Sequence, residues 1–467
     1  MKSLYLFLLL VLVTTQISYS QSLLKKEAAI EDLDILYKTI NEAHPNPYTV
    51  ISKEEFDQNF NCIRSSLKDT LDSPAFFALA APLLHSIGDG HSCVYMPHEE
   101  LSRHDMIIFP YFVDISNIDS TITINNDLTE DKQFGEIPEG ARIISINNRD
   151  YKEIITQMLS FISGELYEYK LLRFSRDKLV FPQFLYLIDP TQLFVIKYET
   201  DGKTMEKTIK GTTIQHTISS YYDRYPSFQR DRKPNYSLTT GEDNTAVLDI
   251  RTFSYELKES FTQFMDSAFT ELKNQNIRNL IIDIRENGGG ATDVSDELFK
   301  YLIPGSFQQF DRMNVKVSRQ FKEEYPDFKE NSKEYDPNKK YVNDIYVWNI
   351  EPTKSHNDSL IYKDNLFLLT DRGSFSTSGI FAWVFKHYNL GTIIGEETGG
   401  LAITFGDFYE GTLPNSKLNY TVSYKELFGV GANEQDRYHG VIPHIKTLSK
   451  DAMDKALEII ASSKDEN

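Results

Sequence analysis

Three stretches of the sequence predict a mixed α/β protein. Residues 245–250 read as a strand, 256–274 as a helix and 279–284 as a second strand, and this alternation fits an α/β core. Residues 366–370 form a short apolar run of the kind a buried strand shows. Asp371, Arg372 and Gly373 break it with turn chemistry, and Ile380, Phe381, Val384 and Phe385 then fall at helical spacing. Ahead of this C-terminal part, 236–467, the chain opens with amphipathic helices in 21–105, passes to short strands in 106–210 and crosses a polar stretch at 211–235.

Residues 1–20 contain Lys2, an unbroken apolar run from Leu4 to Val13, and Ser18-Tyr19-Ser20 before Gln21. This is the pattern of a secretory signal peptide with a small-x-small cleavage site. The run is too short to span a bilayer and no later run is long enough, so a soluble exported protein, periplasmic or extracellular, is expected. No Cys follows the expected cleavage site, so a lipoprotein-type anchor is not suggested. Removal leaves roughly 450 residues, room for two to four domains. The formal net charge is −19, spread along the chain, which argues against nucleic acid or an anionic membrane as partner. Cys62 and Cys93 are the only cysteines; one pair makes no disulfide scaffold, and no Cys or His spacing resembles a zinc site. No metal and no organic cofactor is expected, and burial of a core has to hold the fold.

In the helical region, Ala29, Leu33, Leu36, Tyr37 and Ile40 share one side of a helix over 25–43, which His44-Pro45-Asn46-Pro47 terminates. Residues 53–67 and 74–87 continue the pattern. It stops at Gly88-Asp89-Gly90-His91-Ser92, where the glycines present His91 on a turn; a lone histidine in such a place is ordinarily structural or merely exposed. Between 106 and 210, the strand Ala141 to Ile146 leads through Asn147-Asn148 into a helix over 151–161. This is similar to a PDZ-like domain, with Asn148 where Gly is usual. Such a domain captures an extended peptide by strand addition; the alternative is a spacer whose groove is covered. Residues 211–235 show no clear period and read as a linker.

Ser374, Ser376 and Ser378 lie where a strand turns into a helix. A hydroxyl there is exposed, and the unpaired N–H groups of the first helical turn can face an oxygen that becomes negative during acyl transfer. The competing reading is a plain helix cap, because Ser and Thr are common at that position. A second motif bears on the choice. Residues 279–290 read NLIIDIRENGGG, an apolar strand ending in Asp283, Arg285 and Asn287 and then three glycines, which let another backbone or a substrate approach closely. The pattern Asp-x-Arg-x-Asn-x-Gly-Gly, followed downstream by a strand, Ser-x-Ser, an amphipathic helix and Gly-Glu-x-Thr, resembles the S41 peptidases: C-terminal processing proteases, tricorn-type proteases and their relatives. The resemblance covers about 235–464 well and the upstream regions more loosely. It implies a ClpP/crotonase-like catalytic domain over 236–467, preceded by a small helical N-terminal region and a PDZ-like β-rich domain. Residues 307–360, charged and containing aromatics and prolines, read as an insertion between the two motifs.

Serine is a weak nucleophile at its free pKa and needs a base within hydrogen-bond reach. C-terminal processing proteases use a lysine. Laid on their pattern, Ser376 takes the nucleophile position, Gly379 stands where Glu is usual and Leu401 where the Lys belongs. Leucine cannot accept a proton, and no lysine lies between Lys386 and Lys417. The tricorn-type solution, a histidine oriented by a glutamate, implies His91 as base, since its Asp-Gly-His-Ser turn resembles one in that branch; His439 and His444 are rivals. For the carboxylate the resemblance implies Glu434, with Asp436 close by, and each also reads as a solvated loop charge. The N–H groups of Gly289 and Thr377 are expected to hold the oxyanion. The expectation is an exported serine peptidase acting on a protein or peptide substrate, of open oligomeric state. A non-catalytic carrier of apolar ligands, resembling interphotoreceptor retinoid-binding protein, is the alternative, and an esterase on the same machinery is chemically open.

Overall fold

The computed structural model describes residues 23–103, 106–116, 119–130, 137–225, 234–326, 345–356 and 360–465. The expected signal peptide lies outside them. Three helices come first, Lys26–Ala43, Lys53–Ser66 and Ser73–His85. The first buries Ala29, Leu33, Leu36 and Ile40, spaced three or four apart as a one-faced helix requires. Ser52 and Asp72 cap the other two by accepting the N–H groups of Glu55 and Ala75.

The middle region is an antiparallel sheet in the order Lys203–Lys210, Leu193–Thr200, Arg142–Ile146, Ile122–Asp127 and Tyr111–Ile115, with Arg149–Asp150 beside the third strand. Its helix is Tyr151–Ser160, and two more, Tyr167–Arg176 and Val180–Ile188, precede the next strand. Neither helix is marked in the sequence; the run VFPQFLYLI is so apolar that periodicity cannot tell strand from buried helix there. The stretch read as a linker is structured in its first half. Thr212–Thr213 pairs with Ile107–Ile108, and a helix, Ile214–Arg224, follows, with Thr213 accepting the His216 N–H. It buries Ile214, Thr217 and Ser220; with two of the three polar, no apolar stripe is visible in the sequence.

The helices and the middle sheet share one hydrophobic core, and that core takes in Leu413, Leu418, Tyr420 and Val422 of the C-terminal part. The regions are therefore packed together over a common interior.

The C-terminal part holds a six-stranded sheet in the order Tyr236–Thr240, Thr245–Ile250, Asn279–Asp283, Asn365–Thr370, Thr392–Gly395 and Ile445–Lys446; every pairing except the first is parallel. Alternation across the pleat divides its core in two. Leu280, Ile282, Leu366 and Leu368 pack with the side chains of helices Lys258–Asn274, Thr292–Leu302 and Thr377–His387. Ile281, Phe367 and Leu369 face Ala452, Ala456 and Ile460 of the last helix. Strands buried on both faces read as continuous apolar runs, as these do. A second, antiparallel sheet runs Ile345–Asn349, Phe310–Lys316, Asn419–Gly429 and Ile403–Thr412. The stretch read as an insertion thus supplies two of its strands, and Cys93–Val94, from the N-terminal region, adds to Asn419–Gly429.

Candidate active site

Neighbouring parallel strands Asn279–Asp283 and Asn365–Thr370 end side by side, so the two sequence motifs meet at the carboxyl edge of the sheet, where open α/β sheets place their ligands. The Asp, Arg and Asn of the first motif hold this edge together. Arg285 forks onto Asp283 at 2.9 and 2.7 Å and also donates to the Ser449 carbonyl at 2.5 Å. Buried Asn287 donates to the Ile250 carbonyl at 3.0 Å, and its own carbonyl accepts the Phe375 N–H at 3.1 Å. Asp371 accepts the N–H groups of Glu286 and Gly373, each at 2.9 Å.

Ser376 stands between strand and helix with φ 54° and ψ −125°. A residue with a Cβ rarely adopts this conformation, and the strain resembles that of other elbow turns that expose a nucleophilic hydroxyl. Glycines make the room. A Cβ on Gly289 would lie 2.8 Å from Ser376 Cβ, and one on Gly379, where the S41 pattern has Glu, would lie 2.6 Å from Gly400 Cα.

The Ser376 hydroxyl lies 2.9 Å from His91 Nε2. Ser374 instead donates to the Ile284 carbonyl at 2.9 Å, and the Ser378 hydroxyl is buried without a hydrogen bond among the described residues. His91 arrives from 285 positions earlier, on a turn tied to the second sheet. Thr421 donates its hydroxyl to the His91 carbonyl at 2.7 Å, and the Ser423 N–H donates to Ser92 Oγ at 2.9 Å. The imidazole stacks on Phe375, with ring centroids 5.1 Å apart, and Phe375 stacks on Tyr169 at 4.1 Å.

Behind His91 lies Asp89, fully buried. Its Oδ1 accepts the His91 backbone N–H at 2.9 Å and faces His91 Nδ1 at 3.7 Å; its Oδ2 accepts the Ser92 hydroxyl. Although burial pushes this carboxyl up, hydrogen bonds and charge from His44 and His91 hold it well below the ordinary range. Desolvation pulls the His91 imidazolium down, and Asp89, Glu165 and Asp407 outweigh it, leaving its pKa raised. A negative partner at Nδ1 favours the tautomer with its proton there, so Nε2 is free to accept the Ser376 proton. Glu165 borders the turn: its Oε1 accepts the Thr404 hydroxyl at 3.2 Å, and burial raises its pKa. A Cβ on Gly90 would meet Glu165 Oε2 and the Phe375 ring, both at 2.6 Å, so this corner requires glycine.

Glu434 projects from a 3-10 turn with 71% of its side chain exposed and pairs with Arg437 at 3.0 Å, while Asp436 caps the same turn. The carboxylate 3.7 Å from His91 Nδ1 is that of Asp89, two residues before it in the same Gly-Asp-Gly-His-Ser turn. Glu165 carried no sequence signal, lying between two helices in a stretch without a motif. The rival histidines are engaged elsewhere, His444 accepting the Ile393 N–H at 2.9 Å and His439 facing Asp436 at 3.7 Å. Leu401 is buried and bridges to Gly440. The expected oxyanion donors also differ from each other. The Thr377 N–H opens an eleven-residue helix and has no acceptor among the described residues, whereas the Gly289 N–H is taken by Asn287 Oδ1 at 2.9 Å. Cys62 and Cys93 are free thiols. No helix among the described residues is long and apolar enough to cross a membrane.

A hydroxyl on a strained turn, an imidazole against it and an open helix N-terminus beside it are the parts of a serine-type peptidase, and the comparisons with known proteins agree. Residues 244–446 match the model of peptidase family S41. Among solved structures it is similar to mature CPAF complexed with lactacystin, at 16% identity and a TM-score of 0.58 over 94% of this chain and 98% of that one. Mature CPAF alone gives the same identity and score over 94% and 96%. The photosystem II D1 C-terminal processing protease matches at 12% identity and a TM-score of 0.42, over 90% and 94%.

Proposed function

We propose that this protein is an exported peptidase in which Ser376 attacks the scissile carbonyl and His91 is the general base. The observation that carries the reading is the 2.9 Å approach of Ser376 Oγ to His91 Nε2 at a strand-to-helix turn. His91 takes the hydroxyl proton as the bond to carbonyl carbon forms and returns it to the leaving amine; water then repeats the cycle on the acyl-enzyme. Asp89 stabilises the imidazolium that exists between those steps. The Thr377 N–H meets the developing oxyanion, with the dipole of its helix behind it. Export rests on the signal-like residues 1–20. The region 106–210 is read as a PDZ-like module for an extended peptide, a reading supported by Asn148, whose φ of 63° is the left-handed turn its usual glycine adopts. A carrier of apolar ligands has no use for an aligned hydroxyl and imidazole, and no observation favours that alternative.

Fluorophosphonate labelling with peptide mapping, beside hydrolysis of a casein-type substrate, tests this reading. Label on Ser376 and loss of hydrolysis in Ser376→Ala are expected. Label on Ser374 or Ser378, or none at all, would overturn it.

A further inference from the structure

The His-Pro-Asn-Pro turn that ends the first helix reaches the turn that carries His91. His44 is entirely buried, with its ring 4.4 Å from that of Phe405. The Asn46 N–H donates to its Nδ1 at 3.1 Å, which makes that nitrogen the acceptor and puts the ring proton on Nε2. Nε2 faces Asp89 Oδ2 at 3.3 Å. We infer that His44 is a positioning residue: it holds Asp89 from behind so that Oδ1 stays turned to His91, giving a line His44, Asp89, His91, Ser376.

The surroundings agree with this role. Asp89 Oδ2 accepts the Ser92 hydroxyl and faces His44 Nε2 at 3.3 Å, and Oδ1 accepts the His91 backbone N–H, so both oxygens are engaged before the carboxylate meets the imidazole. The turn bearing His44 is itself anchored, since Asn46 Nδ2 donates to buried Glu426 at 3.3 Å and Glu426 pairs with Arg437 at 2.9 Å. A carboxylate that has lost the polar ring beside one oxygen can turn away, and the 3.7 Å contact with His91 Nδ1 weakens as the separation grows. The charged groups that face His91 are Asp89, Glu165 and Asp407, the last paired with Lys425; of these, His44 touches only Asp89. Its effect on the base therefore passes through one carboxylate.

The inference rests on His91 being the base, and the test separates the two claims. In the intact protein labelled with ¹⁵N-histidine, NMR should show His44 protonated on Nε2 and bare on Nδ1, whether or not any substrate is cleaved. A proton on Nδ1 overturns the inference. In hydrolysis assays, His44→Leu should lower kcat about 10-fold and move the acid limb of kcat/KM toward lower pH by up to about one unit, the direction expected for Asp89→Asn. His44→Gln, which keeps an N–H where Nε2 stands, should keep the wild-type limb. A folded His44→Leu protein with an unmoved limb, or a His44→Gln protein whose limb moves as far as that of Asp89→Asn, would show that His44 is only a core residue. If His44→Leu does not fold, the tautomer and His44→Gln decide.

Discussion

The two halves of the site are built by different means. The side of the proposed nucleophile is backbone architecture: Ser376 is set by two parallel strands, a positive φ and glycines that leave no room for a Cβ. The side of the proposed base is side-chain architecture: His91 sits on a turn between short elements, held by Thr421, Ser92 and Asp89, with carboxylates nearby that raise its pKa. Backbone placement makes a nucleophile hard to shift but offers no control of its basicity. Side-chain placement does the reverse, so changes on the base side should appear as altered pH dependence and changes on the nucleophile side as loss of activity.

The largest effect expected is that of Ser376→Ala, a loss of at least about 10⁴-fold in kcat with an unchanged far-UV spectrum, since the other parts of the machine cannot substitute for the nucleophile. His91→Ala should cost about 10²–10⁴-fold, and the mutant should remain folded because the residue sits on a turn. Retention of most of the activity would break the comparison and send the search to other bases. Asp89→Asn should cost about 10²-fold through misplacement of the imidazole. It should also move the acid limb of kcat/KM to lower pH. The sign follows from the raised pKa of His91: activity needs the neutral ring and falls as pH drops through that value, which lies above the ordinary one of about 6.5, and removing the negative partner lowers it.

How much of this was legible differs between the halves for the same physical reason. The nucleophile side is local in sequence: an apolar strand, turn residues, small hydroxyls and a helical stripe follow one another in 366–385, and three glycines mark the facing loop. The strand assignments and the packing of Ser376 against Gly289 follow from those signals. The base side joins residues far apart in the chain. His91 stood out only through its glycine-flanked turn, Asp89 was passed over in favour of Glu434, and Glu165 and His44 were not seen as part of the site. Nothing in a one-dimensional pattern says that the end of the first helix meets the turn after the third. The Ile214–Arg224 helix escaped for another reason, since its buried face is mostly polar.

Two further substitutions should have smaller effects. Thr421→Val removes the donor to the His91 carbonyl, so stability should fall by about 1–3 kcal/mol in a denaturant titration while kcat drops only a few-fold. Leu401→Ala should cost about 2–5 kcal/mol of stability through the cavity it leaves and nothing in kcat at temperatures where the protein is folded. A clear kcat effect of Leu401→Ala would mean that the position where a lysine base is usual still has a part in the chemistry.

The most direct test of the central claim, that Ser376 is activated by His91 across the regions, is the rate of fluorophosphonate labelling of Ser376 as a function of pH in wild type and in His91→Ala. Labelling is expected at Ser376 alone, rising through a pKa above about 6.5 in wild type. In the variant, labelling should be slower by about 10²-fold or more, without that titration. Labelling of the variant at the wild-type rate, with the same pH dependence, would contradict the claim.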